Sequence, residues 1–132
     1  PEGKVYAIEK EEAAADLIEI NKRKLCAPNV EVIRGLAPDA MRDLPAPTHA
    51  FIGGSSGNLK EIVDCLLDKN PDVRMVINSV TIETLSETMD VIREAGLVEE
   101  ETVCVNVSKA RRAGRYHLMT AQNPVYISVV RR

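Results

Sequence analysis

Aromatic residues are nearly missing from this chain. It has no tryptophan, one phenylalanine and three tyrosines, 3% of 132 positions. Surfaces that stack nucleic-acid bases need such rings among basic residues, and no stripe of that kind occurs, so no nucleic-acid partner is expected. Cysteine is scarce as well. Cys26, Cys65 and Cys104 are odd in number and widely separated, a pattern with neither metal-ligand spacing nor a disulfide framework, which suits reduced thiols in a cytoplasmic protein. No apolar run approaches the ~18 residues of a membrane-spanning helix, and the first residues do not read as a signal peptide. Of the two histidines, His117 has no acidic neighbour in sequence and His49 sits in or beside a strand. Neither is assigned a role, and no metal is expected.

Carboxylates are absent after Glu101. Lys109, Arg111, Arg112, Arg115, Arg131 and Arg132 give the last stretch a charge of +6, against −9 for the first 101 residues. Such asymmetry points to an anionic ligand or partner near the C-terminal end. The balance elsewhere is ordinary: 45% hydrophobic and 28% charged, enough for one buried core and too apolar for disorder.

The apolar pattern alternates between two periods. Val5 to Ile8, closed by Glu9, reads as a strand, followed by a helix that Glu11 and Glu12 open and that turns Leu17, Ile18 and Leu25 to one face. Val30 to Ile33 is a second strand, and Pro38 suits the start of a short helix through Met41. His49 to Ile52 is the third strand, Leu59 to Leu67 a helix, and Val73 to Ile77 the fourth strand. A helix over 81–95 carries Ile82, Leu85, Met89 and Ile92, with Gly96 placed to end it. Strands over 102–107 and 125–130 flank an arginine-rich stretch with no helical pattern, so they are expected to pair antiparallel at one edge. Strands alternating with helices predict an α/β fold with a mostly parallel sheet and an antiparallel C-terminal strand.

Between the third strand and its helix lies Phe51-Ile52-Gly53-Gly54-Ser55-Ser56-Gly57-Asn58-Leu59. Glycines at the carboxyl end of a buried strand let a ligand approach the backbone, and open α/β sheets bind ligands there. A turn chosen only for its geometry would use the same residues.

Five collinear stretches narrow the reading: Val5-Tyr6-Ala7-Ile8-Glu9, Gly35-Leu36-Ala37-Pro38-Asp39-Ala40, the tract from Ile52 to Leu59, Thr81-Ile82-Glu83-Thr84, and Gln122-Asn123-Pro124-Val125. Together they resemble the decarboxylating carbon-15 methyltransferases that act on precorrin-6B or its cobalt counterpart in cobalamin biosynthesis. These are Rossmann-like class I methyltransferases that use S-adenosyl-L-methionine. The resemblance implies that Glu9 accepts the ribose hydroxyls of the cofactor, that Gly35, Leu36 and Ala37 line its adenine pocket, and that Gly53 and Gly54 face the cofactor beside the substrate. Leu36 stands where the family often has Asp, so a side-chain bond to the adenine amine would be lost. Arg111, Arg112 and Arg115, read as a cationic loop, would pair with the acetate and propionate carboxylates of a tetrapyrrole. Asn78 and Glu83, at the end of the fourth strand, would touch substrate. From the residues alone, Glu9 reads first as a solvated acid opening a helix, and each arginine equally as part of a solvated basic hairpin.

The family's first strand and glycine-rich loop have no counterpart here, so the chain is expected to be one partial methyltransferase domain, which could be the C-terminal half of a bifunctional enzyme. The resemblance implies a homotetramer for the intact protein and chemistry without a triad, metal or covalent intermediate. Two other readings compete: a class I methyltransferase acting on another substrate such as tRNA, and a non-catalytic fragment that self-associates through open sheet edges.

Overall fold

The computed structural model describes residues 3–132. The chain resolves into two compact units, Pro1–Pro45 and Ala46–Arg132.

The first unit is a β-α-β repeat. β1 (Val5–Glu9) and β2 (Val30–Arg34) pair in parallel, from Val5 opposite Val30 to Glu9 opposite Arg34. Between them runs α1 (Glu12–Lys24), with Glu12 in its first turn and Lys22, Arg23 and Lys24 in its last, charges that complement the helix dipole. Arg34, at the end of β2, is bonded to Glu12 and to Asp16 of α1 (2.7 Å to Asp16), so the carboxyl end of the strand is tied to the start of the helix. The expected inner face of α1 is only partly right. Ala15 is fully buried and Ile18 half-buried, whereas Leu17 is 55% and Leu25 77% exposed. Leu25 lies beyond the helix, beside Cys26, whose φ of +51° turns the backbone out of the helical path. A 3-10 turn over Asp39–Met41 follows β2, after a cis bond between Ala37 and Pro38.

The second unit is a two-layer α/β sheet. β3 (His49–Ile52), β4 (Arg74–Ser79), β5 (Val98–Val105) and β8 (Val125–Arg131) lie in the order β3-β4-β8-β5. β3 and β4 are parallel, and β8 runs against both β4 and β5, so only β8 is reversed. α2 (Leu59–Lys69) and α3 (Ile82–Glu94) supply the helix layer. α2 buries Leu59, Ile62, Val63, Leu66 and Leu67, and Ile52, Met75, Ile77 and Val130 are buried in the sheet. Each such side chain contributes roughly 1.5–3 kcal/mol on burial. Thr81 caps α3, its hydroxyl accepting from the Thr84 N–H at 3.1 Å, and Gly96 leaves the helix at a φ of +62°. Of the apolar residues expected along this helix Ile92 is buried, with Thr88 and Val91, whereas Ile82 is 82% exposed.

Two sequence expectations need correction at the C-terminal end. β5 begins at Val98, four residues before the expected strand, and so includes Glu99, Glu100 and Glu101. A bulge between Glu99 and Glu101 leaves Glu100 facing Arg74 (2.9 Å) and Arg131 (2.7 Å), so this acid run belongs in the ladder. The arginine-rich stretch is a hairpin rather than a loop. β6 (Ser108–Ala113) and β7 (Tyr116–Ala121) pair antiparallel around Gly114 and Arg115 as a separate two-stranded sheet. Gly114, with a φ of +61°, opens the two-residue turn. Among the described residues no helix is long and apolar enough to cross a membrane.

Candidate functional site

In the first unit the polar ends of β1 and β2 meet. Glu9 is the last residue of β1, half-buried, and its Oε1 accepts the Glu11 N–H at 2.9 Å. Its backbone carbonyl accepts the Gly35 N–H at 3.0 Å, so Glu9 and the Gly35-Leu36-Ala37 segment lie side by side at the carboxyl ends of adjacent parallel strands. Gly35 has a φ of +155°, and a Cβ there would sit 2.9 Å from the Cβ of Ala40. Both features demand glycine. Leu36 is 45% exposed while its carbonyl accepts the Ala40 N–H at 2.9 Å, so the turn is fixed by backbone bonds and the Leu36 side chain stays available. The four residues predicted for the ribose and adenine are therefore together.

In the second unit Gly53 and Gly54 leave β3, and Asn78 lies near the end of β4. Ile52 is opposite Ile77 in the ladder, which puts Gly53 beside Asn78 at the carboxyl edge. The left-handed positions of this tract are Ser56 (φ +52°) and Gly57 (φ +83°), not the glycine pair. A Cβ on Gly53 would touch only the Phe51 ring, at 3.1 Å, and one on Gly54 would meet nothing within 4 Å. Neither backbone angle nor crowding within the chain requires glycine at 54.

Alternation along β4 turns Met75, Ile77 and Ser79 toward the helices and Val76 and Asn78 to the other face. On the helix side the Ser79 hydroxyl lies 3.1 Å from that of Thr88, which donates to the Thr84 carbonyl at 2.8 Å. This pair was not foreseen from sequence. The signal was a polar residue at an inner position of each element, Ser79 in β4 and Thr88 in α3. On the opposite face Asn78 is half-buried, and its Oδ1 is buried without a hydrogen-bond partner among the described residues.

Glu83 keeps different company. It lines a groove of about 580 Å³ between α2 and α3 with Lys60, Ile82, Glu87, Asp90 and Glu94. Lys60 is ion-paired there with Glu94 (3.3 Å), whose hydrogen bond holds the ammonium above its ordinary pKa. An acidic lining repels carboxylates, which argues against Glu83 as a contact for a polycarboxylate.

The arginines are all exposed, but strand alternation separates them. Arg111 shares a hairpin face with Leu118 and Tyr116, and Arg112 the opposite face with Met119 and His117. Arg115 lies in the turn, its Nε 3.1 Å from the Tyr116 hydroxyl, and its guanidinium 5.2 Å from that ring's centre. Adjacent in sequence, Arg111 and Arg112 cannot meet one small group together. The hairpin leaves β5 and returns to β8 at the edge that holds Gly53 and Asn78, its base closed by the Gln122 N–H on the Val107 carbonyl at 2.8 Å.

Among the described residues no three His, Cys, Asp or Glu side chains are grouped to hold a metal.

Comparison with known proteins gives a consistent result. The family described as "Precorrin methyltransferase domain" matches residues 1–132. A relative from Pyrobaculum calidifontis, named probable cobalt-precorrin-6B C(15)-methyltransferase (decarboxylating), is 34% identical over 94% of this chain and 64% of its own length. Its namesake from Methanothermobacter thermautotrophicus is 33% identical over 92% of this chain and likewise 64% of its own length. The chain thus spans just under two-thirds of these relatives. A solved precorrin-6Y C5,15-methyltransferase from Geobacter metallireducens superposes with a TM-score of 0.88 at 34% identity, covering all of this chain and 70% of that one. At 18% identity, a SAM-dependent O-methyltransferase from Thermotoga maritima (TM-score 0.67, covering 98% of this chain and 50% of that one) shares the fold. That fold is the Rossmann-like one of class I methyltransferases.

Proposed function

The chain belongs to the precorrin methyltransferase family, and from that premise we propose that it forms part of an S-adenosyl-L-methionine-dependent enzyme of the cytoplasm. This enzyme methylates carbon 15 of a precorrin-6B-type tetrapyrrole and removes carbon dioxide from an acetate side chain. The observation that carries the reading is the meeting of Glu9 with Gly35, Leu36 and Ala37 at the carboxyl ends of β1 and β2.

These residues fit the cofactor. The Glu9 carboxylate at a strand end can accept two ribose hydroxyls, and the Gly35 turn, which leaves no room for a side chain, supports a flat ring against Leu36 and Ala37. Gly53 and Gly54 are assigned to the edge between cofactor and substrate; open space at Gly54 fits a glycine kept for a ligand's approach. When bound, S-adenosyl-L-methionine supplies an electrophilic methyl group on its sulfonium.

The chain's own contribution is placement. Holding two reactants in line converts a bimolecular step into an effectively unimolecular one, worth several kcal/mol of barrier. The electron-rich ring carbon is its own nucleophile, and the macrocycle accepts the electron pair released on decarboxylation. No ionisable side chain has to form a bond to substrate. Arg111, Arg112 and Arg115 would steer the carboxylates by their charge, and the hairpin face turned to substrate, with Arg111 or with Arg112, would pair with them. Asn78 would contact substrate at the end of β4, and Glu83 is left out on the charge of its groove. The protein would be a homo-oligomer. A hairpin exposed along both strands, unstable as an isolated ribbon, supports this.

Calorimetric titration with S-adenosylhomocysteine tests the assignment. The full-length protein that carries this chain is expected to bind, and Glu9→Gln, which halves the acceptor capacity and removes the charge, to weaken binding about tenfold or more. Equal affinity of the two would sink the role of Glu9.

A further inference from the structure

We propose that Asn78 is a specificity contact for the methyl-accepting substrate: its Oδ1 receives an N–H or O–H that the substrate brings to the carboxyl end of β4. The inference rests on the function proposed above and adds to it the atom and the polarity of the contact.

Three observations support it. First, the Asn78 Oδ1 is buried and has no hydrogen-bond partner among the described residues. Buried acceptors are nearly always satisfied, because an unpaired one keeps its full desolvation cost. An orphan that persists at a strand end marks a place where a bound group completes the bond. Second, the amide sits on the apolar face of the sheet. It is opposite Ile127 of β8 and shares that face with Val76 and Val129, both half-buried. A hydrogen bond in such surroundings discriminates strongly, since a ligand lacking the donor leaves the acceptor unpaired. Third, the amide is held in place from behind. Ser79, the next residue, is 1% exposed and bonded to Thr88, itself fully buried, which anchors to the Thr84 carbonyl in the first turn of α3. The alternation of the strand then turns Asn78 away from the helices, and the locked Ser79 keeps it there.

The donor is assigned to the substrate because Asn78 shares its sheet edge with the hairpin proposed to meet the substrate's carboxylates. β3, with Gly53 and Gly54, is one edge of this sheet, and Asn78 lies one strand further in, toward β8. β8 begins where the arginine-bearing hairpin ends. Asn78 therefore stands between the glycine pair and the basic hairpin.

The test uses the full-length protein that carries this chain, wild type, Asn78→Leu and Asn78→Ser, with three readouts: the melting temperature without ligand, the S-adenosylhomocysteine affinity, and KM and kcat for cobalt-precorrin-6B. Leucine has nearly the shape of asparagine and removes the orphan acceptor. Asn78→Leu is therefore expected to melt at the same temperature or higher, to bind S-adenosylhomocysteine within about twofold of wild type, and to raise KM about tenfold. Asn78→Ser, which restores an acceptor, should recover part of that loss. A clear fall in the melting temperature of Asn78→Leu with unchanged KM would show that the acceptor is satisfied within the folded protein, overturning the proposal. Loss of S-adenosylhomocysteine affinity matching the rise in KM would move the contact to the cofactor and overturn it too. Failure of the wild type to turn over cobalt-precorrin-6B would instead defeat the assigned substrate. The melting temperatures then decide alone: a fall overturns the orphan acceptor, and a rise or no change upholds it.

Discussion

Gly35 shows how one residue can combine two constraints. Its φ of +155° lies where side chains are strained, and the Ala40 Cβ at 2.9 Å fills the space that a Cβ would need. Gly35→Ala is expected to cost about 1–3 kcal/mol of unfolding free energy, measured by denaturant titration. Adding Ala40→Gly relieves the overlap but not the backbone angle, so the double variant should recover only part of the loss. Full recovery would show that crowding alone sets the requirement. At this scale the sequence was informative where chemistry is tied to position along a strand. Glu9 and Gly35 fall at strand ends, and both could be found from the apolar runs before them. The Ser79–Thr88 bond and the orphan acceptor of Asn78 could not, because they depend on which face of β4 meets α3, and alternation alone leaves that open.

Elements carry the larger departures. From sequence the hairpin stays an alternative to a loop because Ser108 to Ala113 is polar and basic with no alternating apolar run, so its cues are Gly114-Arg115 at the turn and the short stretch from Tyr116 to Met119. Its consequence is specific. Arg111 and Arg112 lie on opposite faces, so alanine at one is expected to raise KM for the tetrapyrrole several-fold while alanine at the other leaves it near wild type. Equal increases would mean that the hairpin acts through its overall charge rather than a face. The start of β5 was missed for a related reason: three consecutive glutamates interrupt the apolar pattern that marks a strand. In the fold, the bulge brings Glu100 between Arg74 and Arg131. The Arg74 hydrogen bond, with the charges of both guanidiniums, holds the Glu100 carboxyl below its usual 4.5. A carboxylate lowered by folding stabilises fully above its unfolded value, and that contribution disappears as pH falls through the folded one. Glu100→Gln should therefore melt below wild type at pH 7, with the gap closing on acidification below about pH 4.5. A gap independent of pH would mean that packing, not charge, is what Glu100 provides.

For the whole chain, the alternation of strands and helices was enough to reach the fold class, since a parallel sheet needs its crossovers and each left a periodic trace. Composition revealed the charge asymmetry, −9 over residues 1–101 and +6 over residues 102–132, without saying that the basic part is a ribbon. The chain matches the precorrin methyltransferase domain along all its residues and spans 64% of the first curated relatives. Activity is therefore best tested on the full-length protein that carries it.

The most direct measurement is mass spectrometry of cobalt-precorrin-6B incubated with that protein and S-adenosyl-L-methionine labelled in its methyl group. The expected product has gained one labelled methyl and lost one carbon dioxide. Substrate recovered unchanged, while S-adenosylhomocysteine binds normally, would contradict the tetrapyrrole assignment and leave a methyltransferase for another acceptor.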